Sequence, residues 1–312
     1  MITVALPTWN NKEIIFLTME GLIRQKQSPE WELIVLECIS FNEVGGDYFK
    51  NYWPKLKKAG CVRLKYIYSK TRLPLNQKWL QLAKAADQKS VTFCLQASDD
   101  YPHAERNQKA HEAIMAGADW YDCRSYYQYH IGLDKMIYYN NGQTGEQDVK
   151  EWKTGFNIAL RTEKIRNIQS KKYVRSGVDF WLLTQMGEVK RYVDQNDYTG
   201  LSTTGMNTIS TKRYDYFMNP RYPFYETDKT PDDMKVPKAV LKKLYELKPL
   251  AVIDKVKIDN ELILVEFTKS INGRLPGHRT MIPRHSLPYF QIRDAIKIIY
   301  HDNKQEEYEL CT

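Results

Sequence analysis

The sequence predicts an α/β protein with a mainly parallel central sheet flanked by helices, followed by a smaller β-rich carboxyl-terminal appendage. Three observations predict it. Up to residue 123, short apolar runs alternate with amphipathic stretches of helical period, the pattern of strands joined by crossover helices. Several of those runs end in polar or acidic residues, at the strand ends where open parallel sheets take ligands. Beyond a Pro-rich stretch, residues 251–312 carry short apolar runs around a Gly/Pro/His/Arg loop.

The elements follow in order. Strand candidates are 2–6, 33–37, 63–68, 91–96 and 118–123; helix candidates are 11–26, 47–59, 75–86 and 103–116. In the first helix Ile14, Ile15, Leu17, Leu22 and Ile23 recur at helical spacing, which marks a face packed on the sheet. The stretch 124–150, rich in Tyr, Gln, Asn and Gly, reads as a hairpin or mobile loop above the strand ends. A further helix, 173–188, follows the turn Trp152-Lys153-Thr154-Gly155. Pro220, Pro223 and Pro231 among Asp, Asn and Tyr read as a linker over 218–236, and a helix over 237–247 leads to strands at Ala251–Ile258, Leu262–Phe267 and Ile296–Tyr300. The resulting division is 1–218, a linker and helix over 219–250, and a small module over 251–312.

A chain of 312 residues that is 42% hydrophobic has enough apolar side chain for a core. No apolar run approaches the ~20 residues that span a bilayer, and Met1 leads straight into a strand, so a soluble, cytoplasmic protein is expected. The five cysteines, Cys38, Cys61, Cys94, Cys123 and Cys311, show no C-x-x-C pair, which argues for free thiols over a zinc site or a disulfide framework. Net charge is +8, yet Lys50–Lys89 alone holds eleven Lys or Arg against the single acid Asp87. Such a segment is either a solvated helix face or a patch facing phosphates.

The candidate chemistry lies at strand ends. The first strand runs into Pro7-Thr8-Trp9-Asn10, the second ends in Glu37, and the fourth runs through Gln96 and Ala97 into Ser98-Asp99-Asp100. Mg²⁺ or Mn²⁺ needs oxygen ligands and commonly takes one or two carboxylates, with substrate phosphates supplying others. Ser98-Asp99-Asp100 is also an ordinary cap for the helix that follows, but acids and a Pro-Thr turn on neighbouring strand ends favour a site.

These residues resemble the motifs of family 2 glycosyltransferases of the GT-A type: a strand, P-T-Y-N, a helix, then a strand into D-D-G-S. Glu37 stands at the first of those acids with Cys38 at the second, and Ala97-Ser98-Asp99-Asp100 stands at the D-x-D-D region with its first Asp replaced. Thr154-Gly155-Phe156-Asn157 is similar to T-G-x-N, and Val178-Asp179-Phe180-Trp181-Leu182 to the E-D-x-x-L helix start. The resemblance covers about residues 2–190. It implies a GT-A, Rossmann-like fold and inverting transfer from a nucleotide-sugar donor, UDP-linked, assisted by Mn²⁺ or Mg²⁺. It implies Pro7, Thr8, Trp9, Glu37, Asn76, Lys78 and Asp100 on the donor, Asp99 on the metal, and Asp179 as the base. The family's late His has no counterpart in 190–220, where Asn207 is the substitute considered.

A nucleotidyltransferase would share the acids but opens with a Gly-rich loop, and residues 5–12 hold no Gly. The acceptor is expected to be a glycan or polysaccharide. Basic residues mixed with aromatics between Lys269 and Lys297 leave three further readings: a hydroxylated base in DNA as acceptor, a non-catalytic nucleic-acid-binding protein, or a peripheral membrane contact.

Overall fold

The computed structural model describes residues 1–26, 29–40, 42–123, 125–131, 134–140, 158–170, 174, 177–194, 200–204, 224–247 and four strands further on. It divides into two units, Met1–Val252 and Ile253–Thr312.

The first unit begins β1 (Ile2–Thr8), α1 (Ile15–Leu22), β2 (Trp31–Cys38), α2 (Gly46–Lys58), β3 (Cys61–Ser69), α3 (Leu75–Ala85), β4 (Thr92–Leu95) and α4 (Arg106–Met115). It continues with β5 (Trp120–Cys123), β6 (Ser125–His130), β7 (Lys135–Asn140), β8 (Ala159–Arg161), α5 (Thr162–Arg166), α6 (Val178–Gln185), β9 (Arg191–Asp194), β10 (Leu201–Thr204), β11 (Phe224–Thr227) and α7 (Lys238–Tyr245). Seven strands form one sheet in the order β3-β2-β1-β4-β8-β5-β9. All neighbours are parallel except β8, which runs antiparallel to both β4 and β5.

β1 and β2 are buried along their whole lengths, as strands covered on both faces must be. Alternate residues divide between two cores. Ile2, Val4, Leu6, Leu33 and Val35 pack with Ile15 and Met19 of α1, Phe49 and Leu56 of α2, and Ile114 of α4. Ala5, Ile34, Leu36, Phe93 and Leu95 pack with Trp79 and Leu82 of α3, Ile165 of α5 and Leu182 of α6. A buried acid fastens the opposite, amino-terminal edge. The fully buried Glu32 accepts hydrogen bonds from Thr3 Oγ1 (2.6 Å), the Asp87 amide (2.7 Å) and Arg63 (2.9 Å).

The hairpin β6–β7 joins β10 and β11 in a second sheet, order β10-β6-β7-β11. Its Tyr127, Tyr129 and Met136 pack with Ile14, Phe16 and Leu17 at the start of α1 and with Val240, Leu241 and Leu244 of α7. Within 218–236, read from sequence as a linker, the described residues from 224 onward hold regular structure. Phe224–Thr227 is a strand paired antiparallel with β7, and a capping box between Thr230 and Asp233 opens a 3-10 turn at Pro231–Met234. Pro231 opens that turn, and Pro220 and Pro223 lie outside the described residues. The 124–150 stretch holds the β6–β7 hairpin; its remainder, 141–150, lies outside the described residues, as does Ala251–Ile258. The first helix, Ile15–Leu22, is shorter than its apolar period and is flanked by turn residues at 12–14 and 23–24, with Asn10 in a left-handed backbone (φ 58°) ahead of them. In the second unit β12 (Leu262–Phe267), β13 (Arg279–Pro283), β14 (Ile296–Ile299) and β15 (Glu307–Tyr308) form an antiparallel sheet in the order β13-β12-β14-β15.

One glycine shows how closely α1 lies on the turn after β4. A Cβ on Gly21 would stand 2.5 Å from Pro102 Cδ. Gly→Ala inside a helix ordinarily stabilises by about 1 kcal/mol, whereas here the added methyl meets a rigid proline ring. Gly21→Ala is expected to destabilise by about 1–3 kcal/mol, read as a lower urea midpoint; a raised midpoint would refute the contact.

Candidate active site at the carboxyl edge of the sheet

The pairing of β1 with β4 stops at Ala5 and Leu95, with one more bond from the Gln96 amide to Ala5 O (2.9 Å), while β1 stays paired with β2 as far as Thr8–Glu37. Backbone groups alternate sides along a strand, so the next residue of β1 facing β4 is Pro7, which has no N–H to continue the ladder. The two strands diverge there. Strand order also reverses at this point, since β2 and β3 lie on one side of β1 and β4 on the other, which makes the gap a topological switch point open at the carboxyl ends.

On the β2 side of the gap, α3 delivers a buried amine. Lys78 is 2% exposed, and its Nζ donates to Thr8 O at 3.0 Å and contacts the Cys38 thiol. Burial pushes this ammonium down from its usual 10.5 to about 8, helped by the neighbouring Arg72 charge and opposed by Cys38 and Glu37. Thr8 Oγ1 is buried with no hydrogen-bond partner among the described residues. Glu37, fully buried, turns its carboxylate to the loop before α2: Oε1 accepts the Val44 amide (2.7 Å), and Oε2 accepts the Gly45 amide (2.9 Å) and the Tyr66 hydroxyl (2.7 Å). Asn76, also fully buried, accepts the Val174 amide at 3.4 Å.

Trp9 projects just past β1, and the Arg72 guanidinium lies 3.4 Å from its ring centroid. Nothing in the sequence signals this stack, because parallel pairing of β1, β2 and β3 is what brings the two residues together. The basic run 50–89 is thus divided. Lys78 and Arg72 belong to the site, Arg63 pairs with Glu32, and Lys55, Lys57, Lys58, Lys70, Lys84 and Lys89 are exposed.

Across the gap, the acidic turn is held from three elements. Thr18 of α1 donates to Ala97 O (3.0 Å) and Asp100 O (2.8 Å). Gln96, fixed by Arg106 of α4 (3.1 Å), donates to Ala97 O at 2.9 Å. From β10, Thr203 donates its amide to Asp100 Oδ1 (3.1 Å) and its hydroxyl to Asp99 O (2.6 Å), beside a Tyr101–Leu201 bridge. The Ser98 hydroxyl meets the Asn11 side-chain amide, which ties the β4 turn to the β1 turn. Asp100 is buried and engaged, whereas Asp99 keeps part of its surface open. Burial pushes the Asp99 carboxyl up to about 6; burial and the Asp99 charge push Asp100 well above the usual carboxylate range. Ala97 packs against the Tyr126–Tyr139 pair, rings 4.8 Å apart, so a carboxylate at 97 would be pressed onto two aromatic rings.

Sequence reasoning missed β10, whose only signal is the β-branched pair Thr203-Thr204 after Leu201. Asp179 is half-buried in the first turn of α6, after Gly177 in a left-handed conformation. Trp152–Asn157, Ser176 and Asn207 lie outside the described residues. Among the described residues no group of three His, Cys, Asp or Glu is placed to hold a metal, and no helix is long and apolar enough to cross a membrane. Cys38, Cys61, Cys94 and Cys123 are buried free thiols.

No protein family matches the chain, and no curated protein matches it. Solved structures to which it is similar include S. aureus TarS, at 16% identity over 65% of this chain and 37% of that chain with a TM-score of 0.48. They also include mannosyltransferase PcManGT from Pyrobaculum calidifontis in complex with GDP-Man and Mn²⁺, at 12% identity over 79% of this chain and 69% of that one, TM-score 0.49. A third is glucosyl-3-phosphoglycerate synthase from Mycobacterium tuberculosis in complex with Mg²⁺ and UDP, at 13% identity over 91% and 87%, TM-score 0.39. The chain spans little more than a third of the TarS chain. GT-A-type glycosyltransferases are among the structures it is similar to; likeness of this degree concerns the fold, and chemistry does not follow from it.

The buried amine has a measurable signature. In the unfolded chain Lys78 titrates near 10.5, in the folded one near 8, so between those values the unfolded chain holds the extra proton and stability rises with pH. The wild type should gain up to about 3 kcal/mol relative to Lys78→Met as pH climbs from 8 to 10.5. Parallel urea titrations with a pH-independent difference would remove the buried charge from this account.

Proposed function

We propose that the protein is a nucleotide-sugar glycosyltransferase that moves a glycosyl group, with inversion, from a UDP-linked donor to a hydroxyl of a glycan or polysaccharide. The observation that carries this reading is the switch-point gap, with Trp9 and two cationic side chains on one wall and the Asp99-Asp100 turn on the other. That set suits an aromatic base, a diphosphate and a divalent cation, which Asp99 would hold. Trp9 and the Pro7-Thr8 edge receive the base. Glu37 keeps one acceptor position on Oε1 for a pyrimidine imide N–H, since its other bonds go to Val44, Gly45 and Tyr66. Arg72 and Lys78 face the charge that builds on the departing diphosphate, and Asn76 holds the 174 segment beside α3.

The donor set fits Mg²⁺ or Mn²⁺ at its minimum. Asp99 supplies one accessible carboxylate, and Asp100, engaged with Thr203, stands behind it; such ions commonly use one or two carboxylates with substrate phosphates and water. When bound, the ion neutralises negative charge on the phosphates. Asp179 takes the proton from the acceptor hydroxyl as its oxygen attacks the anomeric carbon. The bond from that carbon to the diphosphate oxygen breaks, and the nucleoside diphosphate leaves. No described residue favours a DNA acceptor: the basic stretch 50–89 is divided as given above, and the basic side chains of 269–297 lie outside the described ones.

Calorimetry with UDP, GDP and ADP, with and without Mn²⁺, is the test. UDP is expected to bind tightest and to need the ion; equal or tighter binding of GDP or ADP would sink the uridine assignment. Asp99→Asn is expected to lose the Mn²⁺ enhancement of UDP binding while the fold survives. Asp179→Asn should keep donor affinity and lower transfer ~10²–10⁴-fold, because an amide accepts no proton; undiminished transfer would remove Asp179 as base.

A further inference from the structure

Away from the gap, the outward face of α3 carries Gln77, Leu80, Gln81 and Lys84, spaced i, i+3, i+4, i+7. The segment after α5, Ile168-Gln169-Ser170, lies alongside, and the two enclose a groove of about 340 Å³. Leu80 and Ile168, each 5% exposed, form an apolar floor. The mouth is rimmed by exposed Gln81, Lys84 and Gln169. Gln77 closes one end by donating Nε2 to Ser170 O at 3.0 Å.

The chemistry of this lining is selective. Amides offer paired donors and acceptors, which match hydroxyls that both give and accept; the aliphatic floor suits the C–H face of a sugar ring. One lysine and no aromatic ring make a poor phosphate or base site. Position adds a second constraint. Gln77 sits between Asn76 and Lys78 of the candidate site, and Ser170 is on the chain leading through Val174, hydrogen-bonded to Asn76, to Asp179. From Gln77 the groove follows α3 for seven residues, ~10 Å at 1.5 Å per residue, away from the carboxyl edge and long enough for more than one sugar ring.

We propose that this groove is a subsite for a neutral, hydroxyl-rich oligosaccharide, holding the part of an acceptor chain remote from the reacting hydroxyl. The acceptor role rests on the glycosyltransferase reading; the saccharide site itself does not. The probes are maltopentaose, cellopentaose and chitopentaose, titrated into the full chain without donor and followed by amide NMR. At least one should shift the backbone amides of Leu80, Gln81, Ile168 and Gln169, which wild type and variant share, with affinity read from those shifts falling at least fivefold in Gln81→Leu/Gln169→Leu, whose exposed positions leave the fold intact. Backbone shifts there that the double variant weakens, in a protein that binds no nucleoside diphosphate, would keep the saccharide site and remove the donor reading. No shift with any of the three sugars, shifts confined elsewhere, or equal response to inorganic phosphate would overturn the proposal.

Discussion

The site depends on one missing hydrogen-bond donor. Pro7 faces β4 at the position where the β1–β4 ladder would take its next bond, and without an N–H the strands part. On its other side β1 still pairs with β2 through Thr8. The sheet is therefore sealed between β1 and β2 and open between β1 and β4. Everything placed in the gap, the Trp9–Arg72 stack from one wall and the acidic turn from the other, is carried by strands that are paired below it.

The electrostatics of the two walls are opposite, and burial disfavours the charged form on each. Burying the Lys78 ammonium disfavours its charged form, offset in part by Thr8 O and the nearby Glu37 and Cys38. Burial disfavours the charge of both Asp99 and Asp100, and the Asp99 charge disfavours that of Asp100 further. Such a polarised, partly dehydrated gap is stabilised by a ligand that brings negative charge to one wall and positive charge to the other. Strained ionisation of this kind is characteristic of functional sites, and here its origin is traceable to named neighbours.

The supporting shell is denser than the wall residues themselves. Thr18, Gln96, Arg106, Ser202 and Thr203 fix the acidic turn from α1, α4 and β10. Glu37 fixes the loop before α2 through two amides and a tyrosine hydroxyl. A carboxylate directed at backbone amides orders the wall of the gap before any ligand arrives, which lowers the entropy lost on binding.

By itself the sequence determined the alternation of strands and helices through residue 123, the parallel character of most of the sheet, and the placing of Pro7-Thr8, Glu37 and Asp99-Asp100 at strand ends. These rest on local period and composition, which survive in any context. In the first unit the strands it did not reveal, β8 to β11, are three or four residues long, too short for alternation to be read, and in the second it revealed neither β13 nor β15. Only the tertiary structure decided where each side chain points: Glu37 toward Val44 and Gly45, Lys78 toward Thr8 O, Arg72 onto Trp9, Thr203 onto Asp100. Those contacts join residues 7 to 103 positions apart. Whether a strand-end acid is accessible or engaged depends on which distant segment supplies its donors, and that is settled by packing and not by period.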